Sequence, residues 1–433
     1  MEKFVIKGGR PLAGEIRAAG NKNAALPILA ACLLTAEELV LTNVPRIRDT
    51  EAQLELLARL GVSVVWSGEK ELRLQAASID QTTVDEDLAA RIRASFLLAG
   101  PLLARFGEAR MPPPGGDFIG RRRLDPHLDA FTDMGASVEG DRWIQISAPS
   151  GGLKPCAIFM DEPSVMATEN ALLAASLTVG PTTIGNAASE PHVQDLARLL
   201  VKMGAQIDGI GSNVMTVHGR DKLGGAEHRI CPDHIEVASF MALAAATRGE
   251  LRIRDTEPQD MLTIRRHFRR VGLQTMVEGN DILVPPEQAL RVQDDLGDAI
   301  PKIDDGPWPA FPADLTSIAL ALATQARGTI LIFEKMFENR LFFVDKLVAM
   351  GARITLCDPH RAIVSGPSSL HGERVESPDI RAGMAILIAA LCAEGVSEIG
   401  NVIQIDRGYE RIDDRLRDLG ASIERVAVEP VPA

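Results

Sequence analysis

LLARLGVSV, residues 56–64, decides the fold. A helical stretch runs into Gly61, and a β-branched run leaves at once. The residue just past a helix end is cheapest as glycine, because it takes the left-handed conformation there, and the chain can then turn out into a strand. The phrase recurs as FTDMGASV (131–138), LLVKMGAQI (199–207), FRRVGLQTM (268–276), KLVAMGARI (346–354) and LRDLGASI (416–423). The glycines at 61, 135, 204, 272, 351 and 420 stand 74, 69, 68, 79 and 69 residues apart. Helix–Gly–strand punctuation occurs in any α/β protein. Near-constant spacing over the whole chain marks an internal repeat of about 72 residues.

A second phrase alternates with the first. It is an aliphatic helix of small residues followed by a strand, as in ALPILAACLLTAEELVLTNV (25–44), SFLLAGPLLARFGEARM (95–111) and NALLAASLTVGPTTIGNA (170–187). VASFMALAAATRGELRIRD (237–255), SIALALATQARGTILIFE (317–334) and MAILIAALCAEGVSEIGN (384–401) complete the set. These helices are apolar on most faces and belong inside, with the amphipathic set outside. Such a repeat is too long for an ordinary solenoid. Two α/β lobes of three repeats are expected, with a hinge near 216–232 in the polar stretch HGRDKLGGAEHRICPDH. Clefts between lobes are favoured places for ligands.

Composition narrows the function. The 433 residues are 46% hydrophobic and 24% charged, enough for a large core. A net charge of −13 and 4% aromatics argue against a nucleic-acid binder. The five cysteines, 32, 156, 231, 357 and 392, are odd in number and widely spaced, which reads as a reducing cytoplasm. No apolar leader opens the chain, and the longest apolar runs are about half a membrane span.

Cations cluster where interior helices should begin. Lys22 lies in GNKN, with Asn23 as the expected N-cap, and Arg93 opens RASFLLAG. PPPGGDFIGRRRLDPH carries Asp117, Arg121, Arg122, Arg123, Asp125 and His127 around a Pro/Gly loop. Arg407 lies in IDRGYE, expected at the end of a strand and the start of a helix, beside Tyr409, the only tyrosine. Asp314 in PAFPADL, Asp379 and Arg381 in SPDIRAG, and Arg340 in MFENR supply partners. Each alone is explained by a solvated face or a cap. Converging arginines would suit a substrate bearing phosphate and carboxylate. Cys231–His234 and Cys357–His360 are isolated halves of a zinc pattern, and no metal is expected. Glycine-loop nucleotide motifs and H-E-x-x-H are missing.

GNKNAALPILAA, RASFLLAGPLLARFG, PGGDFIGRR, SVMATEN, PAFPADL, MFENR and IDRGYERIDDRLRDLGASIERV, in that order, resemble the UDP-N-acetylglucosamine 1-carboxyvinyltransferase family over essentially the whole length. The resemblance implies a two-lobed fold of inside-out α/β barrels with three βαβαββ units each. Lobe one would be 22–232 and lobe two 1–21 plus 233–433. It implies enolpyruvyl transfer from phosphoenolpyruvate to the 3′-hydroxyl of UDP-N-acetylglucosamine, the first committed step of peptidoglycan synthesis, by a cytoplasmic monomer without cofactor, membrane or nucleic-acid partner. Lys22, Asn23, Arg122 and Arg407 would hold phosphoenolpyruvate. Asn23, Arg93, Arg122, Asp125, Ser164, Val165, Asp314, Met336 and Arg340 would hold the UDP-sugar. Asp314 would be the base, Asp117 the acid, and Lys22 and Arg407 catalytic cations. Asp379 and Arg381 would close from the second lobe.

The chain departs from that family's pattern at several places. Asp117 replaces a common cysteine, which implies resistance to epoxides such as fosfomycin, since a carboxylate is the poorer nucleophile. Glu162, Met166 and Arg123 stand where lysine, glycine and proline are common, which bears on nucleotide affinity. Two alternatives compete: a sister enzyme using shikimate 3-phosphate or another nucleotide, and a silent paralogue that binds the UDP-sugar and regulates or scaffolds. Joint retention of Lys22, Asp117, Arg122, Asp314 and Arg407 argues against the second.

Overall fold

A computed structural model describes residues 2–428. The six repeat glycines end their helices alike. All have positive φ, from 88° at Gly272 to 114° at Gly204. The Gly61 N–H donates to the Ala58 carbonyl (3.1 Å), and the Val62 N–H reaches back to Leu57 (3.0 Å). The same two bonds, three and five residues back, recur at the other five glycines. Each pair satisfies carbonyls that a helix end otherwise leaves without partners. The helices so closed are Arg48–Arg59, Asp125–Asp133, Pro191–Lys202, Leu262–Phe268 with its 3₁₀ extension Arg269–Val271, Val344–Ala349 and Ile412–Asp418.

The aliphatic set is interior. Lys22–Ala30, Ala99–Phe106, Val165–Ser176, His234–Ala246, Thr316–Ala323 and Ile380–Cys392 are buried along most or all of their length. Burying helices on every side demands small residues, and alanine-rich sequences meet that demand without leaving large voids.

One repeat shows the pattern complete. Strand Ala157–Phe159, an interior helix, strand Gly180–Gly185, a surface helix, and strands Gln206–Asp208 and Val214–Gly219 follow in order. The first two strands pair in parallel, Ile184 against Ile158, and the others are antiparallel. Five sheets have four strands. The sixth has three, its parallel strand reduced to a bridge between Thr83 and Arg110. The described sheets are separate ladders around the helices and do not join into a closed barrel.

The residues form two compact units. The N unit holds Gly20–Asp117 and Arg122–Cys231. The C unit holds the described residues up to Ala19, then Phe118–Arg121, and those from Pro232 on. Its sheets draw on the chain's beginning: strand Glu2–Lys7 lies between Val396–Gly400 and Ser422–Ala427, and strand Ala13–Arg17 runs parallel to Glu250–Arg254. In the N unit, strand Ala226–Arg229 returns to pair with Glu38–Thr42. Phe118–Arg121 go with the C unit because the Asn339 N–H donates to the Ile119 carbonyl (3.0 Å), and the Glu338 carboxylate accepts from the Arg121 N–H (3.1 Å).

Candidate active site

In the N unit, the interior helix starts two residues before the expected cap would allow. Asn21, not Asn23, is the N-cap: its backbone is extended, and its side-chain oxygen accepts from the Asn23 (2.9 Å) and Ala24 (3.1 Å) N–H groups. Lys22 therefore lies in the first turn, where its ammonium meets the buried Asp49 carboxylate at 2.9 Å. Asn23 follows, half-buried.

Arg93 opens a 3₁₀ turn, and its guanidinium donates to the Arg122 (2.5 Å) and Arg123 (3.3 Å) carbonyls. It thus pins the backbone of the arginine run. Burial and the neighbouring Arg122 push its pKa down to about 10. Gly115 and Gly116 let this loop close on the helix start. A Cβ at Gly115 would overlap the Ala90 carbonyl oxygen, and one at Gly116 would crowd Arg93. Asp117 follows, half-buried. Arg123 bonds Asp161 (2.8 Å) and Asp125 (3.4 Å), so its charge is engaged beside Glu162.

Behind the loop, His127 is buried. Its Nδ1 meets Asn170 Nδ2 at 2.9 Å, and Asn170 also bonds the Gly100 N–H and the Phe96 carbonyl. Burial, reinforced by Arg93, pushes the His127 pKa down to about 3, so the ring is neutral. Ser164 caps the next interior helix, accepting from the Ala167 N–H (3.4 Å), with Val165 its first residue.

The C unit is built around a carboxylate. Asp314 lies in a 3₁₀ turn and is not the ordinary helix cap its position permits. Arg340 donates to one of its oxygens (2.8 Å), and Arg381 donates twice to the other (3.1 and 3.0 Å). Burial is the largest influence on both arginines and works against their charge, but Asp314 together with Glu334 and Asp379 at Arg340, and with Tyr409 and Asp233 at Arg381, outweighs it, and both hold their protons more firmly than usual. Asp379 caps the Ile380–Cys392 helix through the Arg381 and Ala382 N–H groups, which fixes where Arg381 starts. Arg381 also lies over the Tyr409 ring, and the Tyr409 hydroxyl meets Ser239 at 2.9 Å.

Arg407 follows the short helix Ile403–Asp406 as its C-cap, rather than leaving a strand, and donates to Gln404 (2.9 Å). Asp406 is clamped by Arg425 through two bonds of 2.8 and 2.9 Å. Met336 is partly exposed on a turn whose N–H groups bond Glu334.

The halves of the zinc pattern have other uses. Cys231 and His234 fall in different units, His234 packs edge-on against Trp308, and His360 donates from Nδ1 to the Glu334 carbonyl. Among the described residues there is no group of three metal-ligating side chains, and no helix long and apolar enough to cross a membrane. Sequence missed Asp49 and Asn170, whose partners lie far along the chain.

Comparison with known proteins sets this geometry in a family. The model for EPSP synthase (3-phosphoshikimate 1-carboxyvinyltransferase) matches residues 6–416. A UDP-N-acetylglucosamine 1-carboxyvinyltransferase from Bradyrhizobium diazoefficiens is 57% identical over 424 residues, 98% of each chain. The chain belongs to the UDP-N-acetylglucosamine 1-carboxyvinyltransferase family. A second member, from Treponema denticola, is 55% identical over 98% of this chain and 99% of its own. Among solved structures, the enolpyruvyl transferase NikO from Streptomyces tendae is similar at a TM-score of 0.87 and 25% identity, covering 99% of both chains. EPSP synthase from Acinetobacter baumannii, at 0.75 and 18%, covers 99% of this chain and 100% of its own and shares the fold. The two-unit α/β fold with interior helices is thus shared with these solved structures.

Proposed function

We propose that the protein transfers the enolpyruvyl group of phosphoenolpyruvate to the 3′-hydroxyl of UDP-N-acetylglucosamine and releases phosphate, as the names of its relatives indicate for them. The observation that carries this is Asp314, a carboxylate held between two buried guanidiniums, in a chain similar to those enzymes over nearly its full length. Asp314 takes the hydroxyl proton as the sugar oxygen bonds to C2. Asp117 gives a proton to C3. The tetrahedral adduct then loses the C3 proton and expels phosphate. Lys22, Asn23, Arg122 and Arg407 meet the phosphate and carboxylate, and charge developing there is stabilised by fixed cations. Arg93, Asp125, Ser164, Val165, Met336 and Arg340 take the UDP-sugar, and Asp379 and Arg381 set Asp314. The work is done by acid, base and cations, without a cofactor, by a cytoplasmic monomer.

The test is phosphate release by purified protein with phosphoenolpyruvate and UDP-N-acetylglucosamine, with shikimate 3-phosphate as the parallel acceptor. Release with the UDP-sugar alone, and a product heavier by one enolpyruvyl group, is expected. Release with shikimate 3-phosphate moves the substrate to the sister enzyme. Binding of the UDP-sugar without release refutes the catalytic role of Asp117 and Asp314.

A further inference from the structure

Two buried carboxyl groups lie outside the chemistry above. Strands Lys302–Asp304 and Gly328–Phe333 run in parallel, with Asp304 opposite Phe333. Each chain continues past its strand into an acid, Asp305 and Glu334, 2% and 0% exposed. One oxygen of each is spoken for by backbone. Asp305 Oδ1 accepts from the Lys335 N–H, and Glu334 Oε1 accepts from Met336 (3.2 Å) and Phe337 (3.1 Å). Their other oxygens, Oδ2 and Oε2, are buried and accept no hydrogen bond from a fixed donor. Two carboxylates cannot bond one another, whereas an acid and a carboxylate can.

We infer that Asp305 and Glu334 share one proton, and that the pair so formed holds the Met336–Phe337 turn in the shape that receives the nucleotide. The second half rests on the assignment of Met336 to the nucleotide. The surroundings fit a single negative charge. Arg340 faces Glu334 from beyond the turn and supplies one balancing cation, itself shared with Asp314 and Asp379. Thr316 faces it from the interior helix. From the Arg361–Gly366 strand side, His360 meets Glu334 only at its backbone: its ring Nδ1 donates to the Glu334 carbonyl and its own carbonyl accepts from the Glu334 N–H, while its backbone N–H bonds Asp358. Lys335 and Lys302 turn to Asp304, and Arg361 to Asp358. No second cation is therefore directed at the pair by these contacts. Burial and the bond to Asp305 push the Glu334 pKa up to about 8. Above that pH the proton leaves to solvent, two like charges face each other in a buried place, and the carboxyl that ties the Met336 and Phe337 N–H groups is driven off its position.

Two measurements test this. Infrared difference spectra of wild type minus Glu334→Gln at pH 7 should show a protonated-carboxyl band that belongs to the wild type and fades towards pH 9. The KM for UDP-N-acetylglucosamine should rise about tenfold between pH 7 and pH 9, with kcat moving less than about twofold. In Glu334→Gln, whose amide donates permanently where the shared proton did, that rise should vanish. Asp305→Asn supplies the same donor from the other side and serves if the first variant folds poorly. A missing band, or variants whose KM climbs as in wild type, overturns the shared proton. A titrating band with a wild-type KM that ignores pH overturns the link to the nucleotide and leaves the proton in place. A protein that uses no UDP-sugar at all fails the proposed function, and the infrared result still decides the pair.

Discussion

The two units hold their candidate groups by different means. In the C unit the carboxylate proposed as base is fixed by charge: Asp314 is gripped by Arg340 and Arg381, and Arg381 by a cap and an aromatic face. In the N unit position is fixed by backbone: Arg93 grips two carbonyls, and two glycines let the loop close. The ionic arrangement is sensitive to losing a charge, and the loop is sensitive to gaining an atom.

The largest expected contrast is chemical. Wild type should survive fosfomycin with Asp117 unlabelled, and Asp117→Cys should be inactivated with one covalent adduct by mass spectrometry. An adduct on wild-type Asp117 would refute the resistance inferred from its carboxylate. Next comes Asp314→Asn, which keeps the shape and loses the base. Its kcat should drop about 10³-fold. A drop under about tenfold means that another group takes the proton.

Third, Arg381→Ala leaves Asp314 short of one buried partner. Urea unfolding should show a loss of about 2–3 kcal/mol, below the full cost of an orphaned buried charge because Asp314 is 28% exposed. Unchanged stability would place the grip on Arg340 alone. Fourth, Gly115→Ala should cost about tenfold or more in kcat/KM, since its Cβ would overlap the Ala90 carbonyl oxygen and the loop must shift. A large stability loss with intact activity would reverse the contrast between the units.

A further effect is spread over both units. His127 and His234 are each buried and neutral, with pKa values pushed down to about 3 and about 4, chiefly by burial. An unfolded chain holds these protons below about pH 6.5, so stability falls as pH drops from there, by up to about 1.4 kcal/mol per unit for each ring. Urea midpoints between pH 6.5 and 4.5 should show this slope, and His127→Gln should reduce it. A slope that the substitution leaves alone assigns the effect elsewhere.

How much of this can be read from sequence follows from range. The helix ends at Gly61 and its five counterparts depend on bonds three and five residues back, so residues alone predict them. Interior and exterior helices separate by composition for the same local reason. Asn21 and Asn23 offer equal caps, and only the register of the first turn chooses between them. The expected strand before Arg407 is one turn of helix, because Val402 and Ile405 are drawn into the C-unit core. The candidate site was marked residue by residue through resemblance, but its bonds were not. Asp49 meets Lys22, Arg93 meets Arg122, and Asp314 meets Arg340 and Arg381, all through tertiary packing that no neighbouring residue announces. Asp305 differs from Asp304 in sequence by nothing, yet one is buried beside Glu334 and the other bonds two lysines.

The strand Glu2–Lys7 has a consequence for the order of synthesis. It leaves the ribosome before residues 20–231 are made, yet both its neighbours, Val396–Gly400 and Ser422–Ala427, are made after them. Residues 20–231 can meanwhile complete all their own sheets, including the returning Ala226–Arg229 strand. The nascent chain therefore finishes its middle first and carries an apolar strand edge, Phe4 and Ile6, whose partners come only after that middle is made.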